Sequence, residues 1–526
     1  DGFGSPTDTQ AACDAPTGFS TDAADCDDTD DATHPGATDA PYDGVDQDCA
    51  GGDPDDLDGD GFAAEAAGGE DCDDGDGTVF PGAVEGWGDG LTDNNCDGSL
   101  EPVTLEYGSV AWTGWRAGDG LGRQLASAGD LDGDGLSDVI VGSEIDSTLG
   151  ESSGALYRVS GTPGGSLAST PALLPGAAGQ LFGTGLDAGV DVTDDGVPDL
   201  LVSAPGTADT RGVAWLVDGA AWVASGSTSV DAVAAGQMEG SRPGSYGPSG
   251  VRFLGDVDGD GVGDIALGEC CGTASGPGTH GRIVIVSQDR FEGSTEEGEH
   301  VVTGPWENAF FGYFVDALGD VDGDGLGDVL VSGTGGMLGA VVPGNTSGDA
   351  LDVAITTLYG EVPGAASKVV NAGDLDGDGR NDVAVTGETD GVSFFTALTG
   401  TLSRNLEAPS FRLDWAENGG TNTVLPLGDL DGDGRGEAFV PQYFSDSGTQ
   451  RAWLLLGSDV RYGGSMRAED TLLSAVSLLP TVRYGYTAAL ADDVDGDGTG
   501  DIVIGAPSHS IGGEETGGAT LIPLPR

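Results

Sequence analysis

The sequence predicts an all-β fold in which seven small sheets close into a ring behind a loop-rich leading module. Three observations predict it. One Asp- and Gly-rich stretch recurs seven times, its first ligand positions 54 to 65 residues apart. Each copy turns at once into a short apolar run, such as Val383-Ala384-Val385 after Asp382, which marks a buried strand rather than a helix. Finally, 97 glycines alongside 37% hydrophobic residues indicate many tight turns around real cores. A unit of roughly 60 residues with several short strands cannot bury both faces of its own sheet, but radial stacking of such units buries both.

The repeated stretch reads as a cation loop. In GDLDGDGRNDVAV, from Gly373, the side chains of Asp374, Asp376, Asp378 and Asp382 stand within nine positions. Carboxylates that close repel one another unless a cation sits among them. Calcium takes six to eight oxygens, and side chains at positions 1, 3, 5 and 9 with the backbone carbonyl at 7, here Arg380, supply most of that shell. The same donors recur at Asp130, Asp132, Asp134, Leu136 and Asp138; at Asp191, Thr193, Asp195, Val197 and Asp199; and at Asp256, Asp258, Asp260, Val262 and Asp264. They recur again at Asp320, Asp322, Asp324, Leu326 and Asp328; at Asp429, Asp431, Asp433, Arg435 and Glu437; and at Asp493, Asp495, Asp497, Thr499 and Asp501.

An EF-hand needs a bidentate Glu at position 12. Here that position is Val141, Val202, Leu267, Val331, Val385, Val440 or Ile504, so each loop joins two strands. Thr193 at position 3 and Glu437 at position 9 set the second and sixth loops apart as weaker sites. The last repeat, ending in Ala519-Thr520-Leu521-Ile522, is one outer strand short. Val103-Thr104-Leu105-Glu106-Tyr107 is expected to supply it and lock the ring.

Residues 1–102 form a different unit. The first hundred residues hold 28 acidic residues and no Lys or Arg. Cys26 with Cys49, and Cys72 with Cys96, recur at nearly equal spacing in similar surroundings, which reads as one disulfide per repeat. Asp56, Asp58 and Asp60, with the Phe62 carbonyl, form a further calcium-type loop without a strand after it. Asp27, Asp30, Asp73 and Asp76 are candidate ligands in the two repeats. With almost no apolar core, metal and disulfides must hold this module. Cys270-Cys271 reads either as a vicinal bridge or as two buried thiols, and Cys13 is left without a partner. The opening DGFG looks like the tail of another D-x-D-G-D-G-F loop, which suggests a processed chain.

Two resemblances follow from these residues. Phe182-Gly183 and Phe311-Gly312 before loops, with Ser203-Ala204-Pro205 and Gly505-Ala506-Pro507 after them, resemble the FG-GAP repeats of integrin α-subunit propellers and their bacterial relatives, over residues 104–526. The resemblance implies a seven-bladed β-propeller with a calcium loop in many blades, used in adhesion and ligand binding. Asp25-Cys26-Asp27-Asp28, His34-Pro35-Gly36-Ala37 and Asp46-Gln47-Asp48-Cys49, echoed from Asp71 to Gly98, resemble the metal-binding repeats of secreted bacterial proteins. Where that pattern expects further cysteines, this chain has Tyr42 and Trp87.

Composition narrows the function. Ninety Asp plus Glu against 18 Lys plus Arg give a formal charge of -72, which argues against nucleic acid and against anionic lipid as partners. No stretch reaches the ~20 apolar residues of a transmembrane helix, and no leader sequence is evident. Weak calcium loops fill at extracellular calcium levels, so the chain is expected outside the cell or on its surface.

Chemistry for catalysis is sparse. Gly150-Glu151-Ser152-Ser153-Gly154 matches G-x-S-x-G but lies in a polar loop without a strand-to-helix elbow. His34, His280, His300 and His509 are scattered. The expected activity is therefore non-enzymatic: a calcium-binding propeller that takes a protein or glycan ligand. The alternatives are a subunit that bridges copies of itself through calcium, and a polysaccharide-active enzyme. Trp112, Trp115, Trp306 and Trp415 are the aromatic candidates for ligand contact, against packing between blades.

Overall fold

A computed structural model describes residues 3–5, 7, 14, 17, 20–22, 24–27, 29–52, 54–83, 93–96, 103–107, 112–114, 118–147, 149–159, 165–166, 173–206, 211–226, 229–241, 248–270, 280–305, 311–333, 337–359, 368–386, 391–396, 402–405, 409–415, 419–442, 444–445, 451–460, 464–468, 473–477, 485–508, 510–511 and 514–524. Two compact units are present, Asp1–Glu101 and Pro102–Arg526.

The second unit is a seven-bladed β-propeller, all-β apart from short helices such as Gly219–Ser225 and Ala350–Val353. Blade one shows the plan. Its inner strand Gln124–Gly129 pairs antiparallel with Asp138–Ser143, then Ala155–Val159, then Leu173–Pro175. The apolar runs after the loops are buried on both faces because every blade is covered on both sides. Val139 and Val141 pack with Val503 and Ala519 of blade seven, while Ile140 between them packs with Leu200 and Trp215 of blade two. The period of two thus divides one strand between two neighbouring cores.

The FG dipeptides serve these wedges. Phe182 and Phe311 are fully buried between blades. Each following glycine has left-handed φ, +86° at Gly183 and +85° at Gly312. A Cβ on Gly312 would stand 2.5 Å from the Arg282 carbonyl oxygen, so only glycine permits the approach.

Ring closure differs from the sequence expectation. Trp112–Thr113, not Val103–Tyr107, is the outer strand of blade seven, with Trp112 opposite Ala519 of the final strand Gly518–Pro523. Val103–Tyr107 instead pairs in parallel with Leu473–Ser477 on the edge of blade six.

The reason is a rule that runs around the ring. Between its third and fourth strands each blade but the second lays a short parallel strand on the edge of the blade before it: Glu292–Ser294 on blade two, Gly348–Asp349 on three, Leu402–Asn405 on four and Gly464–Arg467 on five. Gly165–Ser166 does the same on blade seven. Val103–Tyr107 precedes the fourth strand of blade seven, so it belongs on blade six. Blade two's crossover holds the helix Gly219–Ser225, capped by the Asp218 carboxylate, and blade one has four strands among the described residues.

Candidate metal centre

Every repeated loop leaves an inner strand and enters the second strand of the same blade, so all seven stand on one face of the ring. Each is wound by its own carboxylates. In blade five, Asp374 accepts the Gly377 N–H through Oδ1 at 2.9 Å and the Gly379 N–H through Oδ2 at 2.7 Å. Asp382 Oδ2 accepts the Leu375 N–H at 2.9 Å. The same three bonds recur in blades one, three, four and seven. Left-handed φ at Gly377 and Gly379 makes the winding possible. Neighbouring loops also touch: the Gly436 N–H donates to the Asp374 carbonyl at 2.6 Å, and the Ser137 N–H to the Asp493 carbonyl at 2.8 Å.

Position 9 is the buried one. Asp138, Asp199, Asp264, Asp328, Asp382, Glu437 and Asp501 are all at most 2% exposed. Burial, with the neighbouring loop carboxylates, pushes Asp382 up to about 8, Asp328 to about 7, and Asp264 and Asp501 to about 6. A buried group that must ionise among like charges requires a compensating cation or a proton.

The second oxygen of position 9 sorts the loops. In blades three and seven, Asp264 Oδ1 and Asp501 Oδ1 are buried with no hydrogen-bond partner, an arrangement that fits a cation. In blades two and six that oxygen accepts a backbone N–H instead, from Gly219 to Asp199 at 3.0 Å and from Gly457 to Glu437 at 3.3 Å. These are the two loops whose letters depart from the pattern.

In blade one a guanidinium stands among the loop carboxylates. Arg158 Nη1 lies 2.6 Å from Asp132 and 3.1 Å from Asp138. Sequence reasoning missed this because Arg158 sits on the third strand, twenty positions past the loop. Arg158→Leu keeps the apolar stem but removes the internal cation, so it is expected to add one further calcium per chain in a calorimetric titration. Unchanged stoichiometry would rule out displacement by Arg158.

The leading unit gathers further carboxylates. Asp56, Asp58 and Asp60 converge, as do Asp58, Asp71 and Asp74, and Asp39, Asp46 and Asp48. Buried oxygens of Asp25, Asp46, Asp58, Asp60 and Asp71 have no hydrogen-bond partner, and burial raises Asp58 and Asp71. Asp27 and Asp76 turn a carboxylate oxygen to the backbone and hydroxyl of Thr29 and Thr78, and Asp30 and Asp73 accept the N–H groups of Ala32 and Gly75. The first Asp of each DCDD run, Asp25 or Asp71, is 1% exposed, and Asp74 is buried with them, a signal readable only once the turn is formed. The Tyr42 hydroxyl, where the pattern expects Cys, donates to Asp74 and so links the two repeats.

Two disulfides, Cys26–Cys49 and Cys72–Cys96, close loops of 23 and 24 residues. By loop-closure entropy each contributes about 3.5 kcal/mol. Reduction is expected to expose this unit to protease while the ring resists; equal resistance with and without reductant would show that metal alone holds it.

Other sequence candidates resolve simply. Trp112 and Trp415 are buried, and Trp415 stacks on Trp453 with ring centroids 4.8 Å apart, so both are core residues. Trp115, Trp306, Trp87, His509, Cys13 and Cys271 lie outside the described residues. Cys270 is disulfide-bonded. Gly150 to Gly154 form a turn between strands, where Ser153 donates to the Asp146 carbonyl at 2.9 Å. His34 stacks on Phe3, His280 contacts the Gly304 carbonyl, and His300 lies 3.8 Å from Asp258.

Comparison with known proteins agrees with this geometry. The FG-GAP repeat family model matches residues 484–522, which is blade seven. A copper-binding family model described as "Putative metal-binding motif" matches residues 25–55 and 71–101. The chain thus carries an FG-GAP repeat in its last blade and two metal-binding motifs in its leading unit.

Integrin alpha-4 of Xenopus laevis is 30% identical over 161 residues, which is 30% of this chain and 15% of the integrin's length. Two solved structures of BBS1N in complex with ARL6DN, soaked with lead and with mercury, are 14% and 13% identical. They cover 81% and 79% of this chain and 98% of theirs, with TM-scores of 0.45 and 0.44. Among the described residues no helix is long and apolar enough to cross a membrane.

Proposed function

We propose that the chain is a calcium-stabilised binding module that works outside the cell or at its surface, with the ring of residues 103–526 engaging a protein or glycan ligand and residues 1–102 forming a separate calcium-dependent module. The observation that carries this reading is the set of wound loops whose buried position-9 carboxylates include orphaned oxygens in blades three and seven. Oxygen donors alone, at loop positions 1, 3, 5, 7 and 9, suit a hard cation such as calcium better than copper or zinc.

Asp264, Asp501 and their loop partners would hold the ion, and the ion would supply the positive charge that fixes the loop. With dissociation constants of ~10⁻⁴ to 10⁻³ M, a few millimolar calcium contributes roughly 1 to 2 kcal/mol per site. Intrachain disulfides support an oxidising compartment. A module that only binds a ligand stays monomeric as calcium is added. Light-scattering mass in a few millimolar calcium and after chelation tests this directly. A constant monomer supports the reading, and reversible growth to large species would replace it with a calcium-bridged assembly.

A further inference from the structure

Lysine occurs once in the 526 residues, at Lys368. It stands at the start of an inner strand, on the wall of the axial channel, a cavity of about 690 Å³ lined by the inner strands of all seven blades. Because the calcium loops follow the inner strands, this end of the channel opens on the opposite face. Arg123, at the start of the blade-one inner strand, and Tyr486, at that of blade seven, line the same end. In a chain with five acidic groups for each basic one, this mouth is a local reversal of sign.

The cations there are incompletely paired. The Lys368 ammonium lies 3.9 Å from the centroid of the Phe314 ring and has no hydrogen-bond or ion-pair partner among the described residues. Desolvation pushes its pKa down to about 8, against the attraction of Glu144. Arg123 is held by Glu144 through Nη1 at 2.7 Å and lies over the Tyr486 ring at 5.5 Å, yet its Nε is buried with no partner. Two cations therefore stand near one carboxylate, which is paired with Arg123 alone, and one positive charge is left in excess. Deeper in the channel the balance is different, since Arg252 is met by Asp187 at 3.2 Å and Asp316 at 2.7 Å.

We infer that this mouth is a carboxylate-binding site, with Lys368 as the charged anchor and the rings of Phe314 and Tyr486 as its walls. A cation on an aromatic face in a partly desolvated cavity attracts an anion more strongly than one in bulk water. The cavity has the size of a small-molecule pocket, and its charge admits one carboxylate rather than a polyanion. Glu144 is the internal competitor for that place. The inference rests on the ligand-binding reading and names the chemistry of the ligand.

Reductive methylation with ¹³C-formaldehyde labels only Lys368 and the chain's N-terminal amine, so one NMR signal reports the site. At constant saturating calcium, glutarate, a glutamyl peptide and glucuronate are each added, with chloride and glutaramide as controls. A saturable shift of the Lys368 signal with a carboxylate and not with the controls is expected, and the three probes separate a free acid, an acidic peptide and an acidic sugar as sources. On unlabelled protein, Lys368→Met is expected to weaken the best carboxylate at least tenfold in calorimetry, and Glu144→Gln to tighten it severalfold. Shifts no larger than those with chloride for all three probes overturn the inference. A monomer in calcium that meets this result keeps the ligand-binding reading and loses only the site, whereas calcium-driven assembly removes that reading itself.

Discussion

Chelating calcium is expected to lower the melting temperature of the ring by about 5–9 °C at neutral pH. With blades one, two and six set aside, four loops at 1 to 2 kcal/mol give roughly 4 to 8 kcal/mol, and a domain of this size unfolds with an entropy of about 0.9 kcal/mol/K. The sign of the pH dependence should also reverse. Without metal, burial holds Asp382 at about 8, Asp328 at about 7, and Asp264 and Asp501 at about 6, all above the ordinary carboxylate value.

A raised carboxyl contributes its stability fully below its unfolded pKa and loses it as pH climbs through the folded one. The chelated ring should therefore weaken from about pH 4 to about pH 8. With calcium the ionised form is the one that binds, so stability should rise over the same range. Calorimetric scans from pH 4 to 8 with calcium and with chelator give two curves of opposite slope. Parallel curves would mean that the loops hold no metal of consequence.

Blade one should contribute least to that difference. Arg158 already compensates Asp132 and Asp138, and its charge opposes the burial that raises Asp138 to about 6. A chain with Asp138→Asn should keep most of its calcium response, whereas Asp264→Asn, which removes a partnerless buried oxygen, should lose more of it.

The loops were legible because their chemistry is local. Donors at fixed offsets, glycines at left-handed positions and an apolar residue at position 12 all lie within one window of sequence, and the structure winds each loop with bonds inside that window. What was not legible depends on residues far apart in the chain. Arg158 enters the blade-one loop from the third strand, Gly219 reaches Asp199 from a helix, and Lys368 acquires meaning only where seven inner strands line one channel. Trp112 and Trp415 carried no signal to separate core from contact. The closing strand is hidden in the sequence because Val103–Tyr107 has the β-branched and aromatic letters of a strand, while the two-residue Trp112–Thr113 is too short to announce itself.

Closure of the ring is expected to carry the second large effect. Trp112 is 4% exposed and packs with Tyr157 and Val139 of blade one and with Ala519 and Val503 of blade seven, so it belongs to the one wedge that joins the two ends of the chain. Trp112→Ala is expected to cost about 3–5 kcal/mol. Deleting residues 103–114 is expected to cost more. It strips blade seven of its outer strand, uncovers the edge of Gly518–Pro523 and removes the fifth strand from blade six.

An uncovered edge pairs with whatever strand is available. The truncated chain should therefore show a second, lower calorimetric transition for blades six and seven, and a calcium-independent dimer in light scattering. Because the crossover of each blade lies on the blade before it, the damage should stay local in proteolysis, with cuts after residue 425 and protection of blades two to four. A truncated ring that melts in one transition at the temperature of the full chain would show that closure depends on the blade-one to blade-seven wedge alone and not on the strand that crosses it.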